Sequence, residues 1–351
     1  MTLPVPVRRA VQRMRAYHPP LEGRADKLRL DFNENTLGCS PRVRRALAKL
    51  TSADMSIYPE QESVRRDLAK WFGVREEELL LANGTDEALH LIINTFVDPR
   101  DTVLLVEPTF AMYRFYSELS GARINALRYD EFLQFPMKRV VEALRKKPSV
   151  FFLANPNNPT ANILQARELR QVLAAAAGTM FVVDEAYVEY SGITILPWVR
   201  RHKNLIVTRT FSKAAGLAGL RLGCIFAHPD VAAAMRKAQS PYPVSVVALV
   251  AAQAAVQDHD FVARTLRGFK RSKEVLEAGL ARLGFRTFPS AANFVLLDAG
   301  SRAKEIVAAL ARRGILIRDR RSDFDGRGFV RITVGTLPQT RRVLRELKTI
   351  L

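Results

Sequence analysis

Short apolar runs alternate with helical patterns over residues 79–230, and this alternation restricts the fold more than any other feature. "DTVLLVEP" and "SVFFLANP" are apolar runs that a proline ends, and "TMFVVDEAY" ends in carboxylates. Between such runs, "TDEALHLIINTF" and "ARELRQVLAAAA" place apolar residues at helical spacing. Continuous apolar strands separated by helices predict a mostly parallel sheet covered by helices on both faces. We therefore predict the α/β fold class.

After about residue 245 the pattern changes. A long helical region over residues 244–283 precedes the predicted strand "NFVLLD", the helix "SRAKEIVAALARR", the strands "GILIR" and "GFVRITVG", and a final helix. This order predicts a smaller α+β domain. The expected division is an N-terminal segment that packs with the small domain (1–34), a large ligand-binding domain (35–245) and a small C-terminal domain (246–351).

Composition indicates a protein with a full core, because 48% of the 351 residues are hydrophobic and 25% are charged. The longest near-uniform apolar stretch, "VSVVALVAAQAAV", is shorter than the about 20 residues of a membrane span and contains Gln253. The basic N-terminus lacks the apolar core of a signal peptide. Cys39 and Cys224 form no C-x-x-C pair. We expect a cytoplasmic protein that binds no membrane.

The net charge is +19, from 54 basic and 35 acidic residues. The basic residues are spread along the chain in clusters such as "VRRALAKL" and "QTRRVLRELK", which are typical of the polar faces of amphipathic helices. No nucleic-acid-binding motif accompanies them. The charge therefore favours attraction of a phosphorylated small molecule over binding of a nucleic acid.

Polar residues follow the predicted strands where each strand ends, and these residues are Asn83, Asn155, Asn158, Asp184 and Thr210. In open α/β sheets, ligands bind in the crevice outside the carboxyl ends of the strands. The sequence therefore predicts a ligand site at this edge of the sheet.

A single lysine lies in "RTFSKAAGLAGLRLG", between hydroxyl residues and a glycine-rich turn. A buried lysine has a lowered pKa and becomes a nucleophile toward aldehydes. Arg221 follows between glycines, and its guanidinium suits a phosphate group together with the hydroxyls of Thr210 and Ser212. Because an isolated loop lysine is usually exposed, the prediction for Lys213 depends on the neighbouring motifs.

Two motifs supply polar groups for an aromatic ring. Asp184 in "VVDEAY" closes an apolar strand and needs a positive partner there, such as a protonated pyridine nitrogen. Tyr187, and Asn158 in "NPNNPT", can donate hydrogen bonds to a ring phenolate. Simpler explanations remain open, namely a helix cap for Asp184 and an ordinary turn for Asn158.

"NGTDEA" opens a predicted helix after a tight turn at Gly84. The backbone N–H groups of Thr85, Asp86 and Glu87 can cradle a phosphate at the helix N-terminus, although the same residues also make a good helix cap. An aldehyde-binding lysine, a carboxylate for a ring nitrogen, donors for a ring oxygen and a phosphate cup together indicate pyridoxal 5'-phosphate. No metal site is predicted.

The chain resembles the fold-type I, pyridoxal-phosphate-dependent aminotransferases, and specifically the histidinol-phosphate aminotransferase family. The stretches that carry the resemblance cover nearly the whole chain and are "LRLDFNENTLGCSP", "YPE", "NGTDEAL", "EPTFAMY", "NPNNPTA", "VVDEAYVEY", "RTFSKAAGLAGLRLG" and "RITVGT". The resemblance implies a large cofactor-binding domain and a smaller α+β domain. It also implies amino transfer between glutamate and imidazole-acetol phosphate, a step of histidine biosynthesis.

The resemblance further implies a role for each site residue. Lys213 forms the Schiff base and moves the proton, Asp184 pairs with the pyridinium nitrogen, and Phe110 stacks on the ring. Asn158 and Tyr187 contact the phenolate oxygen. The remaining implied cofactor contacts are those of Thr85, Asp86, Glu87, Thr210, Ser212 and Arg221. Tyr58 reaches the cofactor of a partner subunit in a homodimer with shared active sites, and Arg331 and Arg318 bind the anionic end of the substrate.

Four positions depart from the family pattern: Thr36 replaces a proline, Thr85 a serine, Phe110 a tyrosine and Ala161 a glycine. These departures leave the amino acceptor open. A threonine-phosphate decarboxylase and an aromatic-amino-acid aminotransferase of the same fold are the alternatives. A transcriptional regulator on this fold would carry an added helix-turn-helix domain, whereas only about 30 residues precede the first motif here.

Overall fold

The computed structural model describes residues 5–16 and 22–351. Its strands in chain order are β1 (Leu28–Leu30), β2 (Leu79–Asn83), β3 (Thr102–Glu107), β4 (Arg123–Arg128), β5 (Val150–Ala154), β6 (Met180–Asp184), β7 (Leu205–Thr210), β8 (Leu222–Ala227), β9 (Arg286–Thr287), β10 (Phe294–Asp298), β11 (Ile315–Asp319) and β12 (Phe329–Thr333).

Its helices are α1 (Arg9–Arg13), α2 (Pro41–Leu47), α3 (Ser52–Ser56), α4 (Glu62–Phe72), α5 (Gly84–Phe96), α6 (Ala111–Ser120), α7 (Met137–Leu144), α8 (Ala166–Ala175), α9 (Val188–Ser191), α10 (Pro229–Ala238), α11 (Val246–Val256), α12 (His259–Arg282), α13 (Ala303–Arg312) and α14 (Leu337–Ile350).

The larger sheet has seven strands in the spatial order β2–β8–β7–β6–β5–β3–β4. β8 runs antiparallel to both of its neighbours, β2 and β7, and the other pairings between described strands of this sheet are parallel, so the predicted mostly parallel α/β sheet is confirmed. The return of β8 follows from its connection, because residues 211–221 include no crossover helix of the kind that parallel neighbours require. The predicted lysine segment is therefore the turn between two adjacent strands.

Side chains of the large sheet enter cores on both of its faces. Phe151 and Phe152 are neighbours on β5, and they are buried in two different hydrophobic clusters because successive strand residues point to opposite faces. Helices cover both clusters: α5 contributes Leu89 and Ile92 to one, and α8 contributes Val172 to the other. Burial on both faces explains why these strands read as continuous apolar runs.

The smaller sheet has the order β1–β11–β12–β10–β9. β1 pairs in parallel with β11, with Leu28 opposite Ile315, and this pairing supports the proposal that the N-terminal segment belongs with the small domain. The predicted helical region over residues 244–283 consists of two helices, and the Asp258 side chain begins α12 by accepting a hydrogen bond from the backbone N–H of Phe261.

Helix α11 packs against α2 and α4, and its buried alanines lie in a core of the large sheet. This packing favours a boundary after Val256 over the expected one after residue 245. The division into domains remains a proposal. Within the described ranges, no helix is both long and apolar enough to span a bilayer.

Candidate active site

Lys213 lies just after the C-terminal end of β7, and its Nζ donates a hydrogen bond to the carbonyl oxygen of Phe32 (3.0 Å). Removal of the ammonium from water, and next the positive charge of Arg331, lower the pKa of Lys213 to about 8. A larger fraction of this amine is therefore neutral at physiological pH than of an exposed lysine. The sequence prediction of a nucleophilic lysine fits this environment.

Asp184 is the last residue of β6 and is 4% exposed. The Tyr113 hydroxyl donates to its Oδ2 (2.7 Å), and the Thr208 hydroxyl and the Ala186 N–H donate to its Oδ1 (3.1 Å each). Burial nevertheless raises the pKa of Asp184 to about 6. None of its hydrogen-bond partners is a cation, and a cationic ring nitrogen would supply the charge that the carboxylate needs.

A close approach of three backbone segments forms a cup near Lys213. A Cβ on Gly84 would lie 2.5 Å from a guanidinium nitrogen of Arg221, and a Cβ on Gly223 would lie 2.8 Å from the backbone nitrogen of Thr85. Both glycines are therefore required for β8 and Arg221 to reach the N-terminus of α5. Arg221 itself has a φ of 56°, a conformation that non-glycine residues rarely adopt.

The donors of this cup suit a phosphate group. The Thr85 hydroxyl is buried without a hydrogen-bond partner at the start of α5, where free N–H groups and the helix dipole attract an anion. Arg221 donates to Asp86 (2.9 Å), which is a surface pair that an anion can displace. The Thr210 hydroxyl accepts from the N–H of Ser212 (3.0 Å), so both predicted hydroxyl residues lie in one turn.

The predicted ring contacts come from three other segments of the chain. The Tyr187 hydroxyl accepts a hydrogen bond from Asn33 Nδ2 (2.8 Å), and the Asn158 side chain accepts one from Arg331. Phe110 packs edge-on against Tyr113, with ring centroids 5.6 Å apart. Phe110 and Asp184 thus contact the same tyrosine from different segments.

Arg331 on β12 is directly opposite Arg318 on β11 in the sheet register. Arg331 is 4% exposed, and burial followed by the charge of Arg320 lowers its pKa to about 9. Its guanidinium donates to Asn158 and to the backbone oxygen of Asp31, whereas its Nε has no partner. Arg331, Arg318 and Arg320 thus bring several positive charges close together, and this arrangement favours an anionic ligand.

Glu87 and Tyr58 have side-chain contacts that the sequence did not predict. The Glu87 carboxylate accepts from the N–H of Asn83 at the start of α5, so this side chain caps the helix. Tyr58 is 75% exposed, and its ring stacks on Tyr242 with centroids 4.3 Å apart. A single chain therefore leaves Tyr58 on the surface.

The sequence reasoning missed three residues near this site: Asn33, Tyr113 and Arg320. The first two lie within the quoted stretches "NEN" and "EPTFAMY", but their hydrogen bonds to Tyr187 and Asp184 join distant segments. Arg320 pairs with Asp323. It lies in a loop with several arginines, and the sequence alone does not distinguish it from the others. Over residues 5–16 and 22–351, no group of three or more His, Cys, Asp or Glu side chains could hold a metal ion.

Comparison with known proteins gives the site its context. The sequence profile described as "Aminotransferase class I and II" matches residues 25–347. A histidinol-phosphate aminotransferase from Symbiobacterium thermophilum is 38% identical over 98% of both chains. A histidinol-phosphate aminotransferase from Sinorhizobium meliloti, solved in complex with pyridoxal-5'-phosphate, superposes with a TM-score of 0.89 at 25% identity and covers 97% of this chain and 96% of its own.

A more distant structure shares only the fold. The L-threonine-O-3-phosphate decarboxylase from Porphyromonas gingivalis has a TM-score of 0.80 at 24% identity, covering 92% of this chain and 98% of its own. The fold and the site together define a pyridoxal-phosphate-dependent aminotransferase. The chain belongs to the aminotransferase class I and II family, and within it to the histidinol-phosphate aminotransferases.

Replacement of Asp184 by asparagine tests whether ionisation of the buried carboxyl destabilises the cofactor-free protein. Because the folded protein raises the pKa of Asp184 to about 6, ionisation opposes folding by on the order of 3 kcal/mol above pH 6, and this penalty disappears below the unfolded-state pKa near 4. Without cofactor, Asp184→Asn should therefore unfold at higher urea concentration than the wild type at pH 8, and the gain should shrink toward pH 4. A cofactor-free variant less stable than the wild type at pH 8 would contradict the unfavourable ionisation.

Proposed function

We propose that the chain transfers the amino group of glutamate to imidazole-acetol phosphate, forming histidinol phosphate and 2-oxoglutarate in histidine biosynthesis. The observation that carries the proposal is a second anion site. Arg331 and Arg318 face each other across β12 and β11, whereas Arg221 belongs to the separate cup at α5. A cofactor phosphate and a phosphorylated substrate require two such sites.

The environment of Lys213 supports amino transfer with pyridoxal phosphate. When bound, the cofactor supplies an electron sink for negative charge at the substrate α-carbon. Lys213 would hold the cofactor covalently, and its Nζ, with a pKa lowered to about 8, would take and return the proton at that carbon. Asp184 would hold the proton on the ring nitrogen. Tyr187 and Asn158 would donate hydrogen bonds to the ring oxygen.

Cofactor positioning depends on the remaining residues of the cup. Phe110 would pack on the ring, beside the tyrosine that supports Asp184. The phosphate would be held by the side chains of Thr85, Thr210, Ser212 and Arg221 and by the N–H groups of Asp86 and Glu87. The Thr85 hydroxyl has no hydrogen-bond partner, and the first N–H groups of α5 have no acceptor within the helix. Both features support this assignment.

The arginine pair would orient both substrates. A guanidinium fork accepts a carboxylate or a phosphate, so one site serves glutamate in one half-reaction and the phosphate ester in the other. Arg320 adds positive charge beside Arg331 and is held by Asp323. The burial of Arg331 strengthens its attraction for an anion because little water competes there.

We further propose a homodimer with shared active sites. Met55, Ile57 and Tyr58 are exposed together, and Tyr242 extends the same surface by stacking on Tyr58. A second copy of the chain would cover this apolar surface, and Tyr58 would reach the cofactor phosphate of that partner. The free thiols of Cys39 and Cys224 support a location in the reducing cytoplasm.

A substrate panel tests the main proposal. Purified holoenzyme should aminate imidazole-acetol phosphate with glutamate at a kcat/KM at least about 100-fold above that for phenylpyruvate, because a lost phosphate contact with the buried Arg331 is worth a few kcal/mol. Formation of 2-oxoglutarate is the measurement. Preference for phenylpyruvate, or carbon dioxide release from threonine phosphate, would support the alternative activities instead.

Borohydride reduction tests the role of Lys213. The holoenzyme should absorb in the visible range, and reduction should fix the pyridoxyl group to Lys213, as measured by peptide mass mapping. Lys213→Ala should bind the cofactor without a covalent bond and lose turnover by several orders of magnitude, because both attachment and proton transfer depend on the amine. A pyridoxyl group on another lysine would refute the assignment.

Substitution of Arg331 tests the substrate anion site. Arg331→Lys keeps the charge but loses the fork, and it should lower kcat/KM by roughly 30- to 1000-fold, about 2–4 kcal/mol, in both half-reactions. Cofactor absorbance should not change. Arg327→Lys, on an exposed residue of the preceding loop, is the matched control and should behave like the wild type. Loss of cofactor by Arg331→Lys, or normal turnover with glutamate, would point to Arg318 instead.

Mixed dimers test the shared site. Lys213→Ala and Tyr58→Ala subunits should each be impaired, and subunit exchange between them should restore activity, because one hybrid site retains both intact residues. Activity per verified hybrid, isolated with two affinity tags, is the measurement. Hybrids that only average their parents would show that each site belongs to one chain.

A further inference from the structure

The segment that follows β11 places a third arginine beside the proposed substrate anion site. The backbone N–H of Arg320 donates to the carbonyl oxygen of Phe329 (3.0 Å), which continues the antiparallel pairing in which Arg318 lies opposite Arg331. Side chains two residues apart along a strand share a face of the sheet, and so do directly opposite side chains. The three arginines therefore lie on one face of the small sheet.

This face of the small sheet is turned toward the predicted cofactor site. Arg331 donates to the Asn158 side chain, and its guanidinium carbon lies 5.2 Å from the ring centroid of Phe294. The Phe294 ring packs edge-on against Tyr187, with centroids 5.4 Å apart. The Arg320 side chain is only 13% exposed, and burial followed by the charge of Arg320 lowers the pKa of Arg331. Arg320 thus adds to the positive charge that an anionic substrate would meet.

A carboxylate from the same loop already pairs with Arg320. A tight turn over residues 321–323 brings Asp323 back, so that its N–H donates to the Arg320 carbonyl oxygen (3.0 Å) and its carboxylate forms an ion pair with the Arg320 guanidinium. Burial raises the pKa of Asp323, and the positive charges of all three arginines oppose this rise. Each of the three arginines is therefore close enough to act on this one carboxylate.

Apolar packing keeps Asp323 beside the arginines. The next residue, Phe324, is 5% exposed and packs on Phe329 with ring centroids 4.3 Å apart. Both rings belong to a buried cluster that also contains Leu133, Phe288 and Leu296. Because its neighbour is anchored in this cluster, Asp323 loses little conformational entropy when it pairs with Arg320.

A second ion pair in the same loop has a different location. Arg321 donates to the Asp319 carboxylate through Nε (3.0 Å) and a terminal nitrogen (2.7 Å), and both side chains are 36% exposed. Asp319 follows Arg318 directly on β11, so its side chain points to the opposite face of the sheet. The pair of Arg321 and Asp319 therefore provides a comparison for a pair that lies outside the anion site.

We propose that Asp323 is a built-in competitor of the substrate phosphate, and that the two compete for Arg320. Without substrate, the carboxylate neutralises part of the arginine charge. A dianionic phosphate attracts Arg320 more strongly than a monoanionic carboxylate does, so the phosphate takes over this contact, whereas Asp323 keeps it when glutamate binds. The competition also prevents a phosphorylated product from binding too tightly to leave. This inference rests on the proposed substrate site at Arg331 but not on the identity of the amino acceptor.

Methyl phosphate and acetate are the probes, because they are minimal forms of the two anions. Isothermal titration of borohydride-reduced holoenzyme at about pH 8 measures their affinities, since methyl phosphate is a dianion there and the attached cofactor keeps it out of the cup at α5. Arg320→Gln should weaken methyl phosphate binding at least about 10-fold and acetate binding less than about 3-fold. Asp323→Asn should tighten methyl phosphate binding at least about 5-fold, because the competing charge is removed.

The exposed pair supplies the matched controls. Arg321→Gln and Asp319→Asn should each change both affinities less than about 2-fold, because exposed charges are well screened. Arg331→Lys should weaken both probes, which would locate them in the substrate site. Methyl phosphate affinity that Arg320→Gln does not lower, or that Asp323→Asn does not raise, would overturn the proposal. An Asp323→Asn chain that fails to fold would also overturn it, because the carboxylate would then serve stability alone.

The substrate panel tests the amino acceptor separately from these titrations. If the affinities change as expected in Arg320→Gln and Asp323→Asn while the holoenzyme prefers phenylpyruvate, only the proposed function is refuted. If the holoenzyme aminates imidazole-acetol phosphate while both variants bind methyl phosphate like the wild type, only the competition is refuted.

Discussion

The site depends on one buried carboxylate without a cationic hydrogen-bond partner. Burial leaves the pKa of Asp184 near 6 despite three hydrogen-bond donors, so a positive charge beside it would stabilise the ionised carboxylate at the end of β6. A pyridoxal ring held covalently by Lys213 would bring that charge to a fixed place. The sheet supplies the spacing, since β6 and β7 are parallel neighbours whose C-terminal ends hold these two residues.

The antiparallel strand β8 is the second requirement. It returns directly beside β7 and carries Arg221 back to the N-terminus of α5. The approach is close enough that neither Gly84 nor Gly223 has room for a Cβ. A crossover helix would have removed the arginine from this edge, so the same short connection that holds Lys213 also completes the cup at α5.

Local patterns were sufficient to predict most of this arrangement. Apolar runs indicated the sheet, and the quoted motifs indicated Lys213, Asp184 and Arg221, because each motif contains its own turn chemistry. The contacts of Asn33 and Tyr113 could not be predicted, since they join segments 154 and 71 residues apart. The packing of α11 likewise depends on tertiary neighbours that no local window contains.

The two proposed anion sites differ in construction, and this difference would let one chain separate two phosphates. The cup at α5 offers backbone N–H groups and hydroxyls with the half-exposed Arg221, so it would recognise a phosphate by shape. The other site would use the buried guanidinium of Arg331 on β12, whose pKa is lowered first by burial and then by the charges of Arg320 and Arg318. An anion there relieves repulsion between arginines as well as forming hydrogen bonds. The second site therefore favours the ligand with more negative charge, and this preference suits a phosphate ester better than a carboxylate.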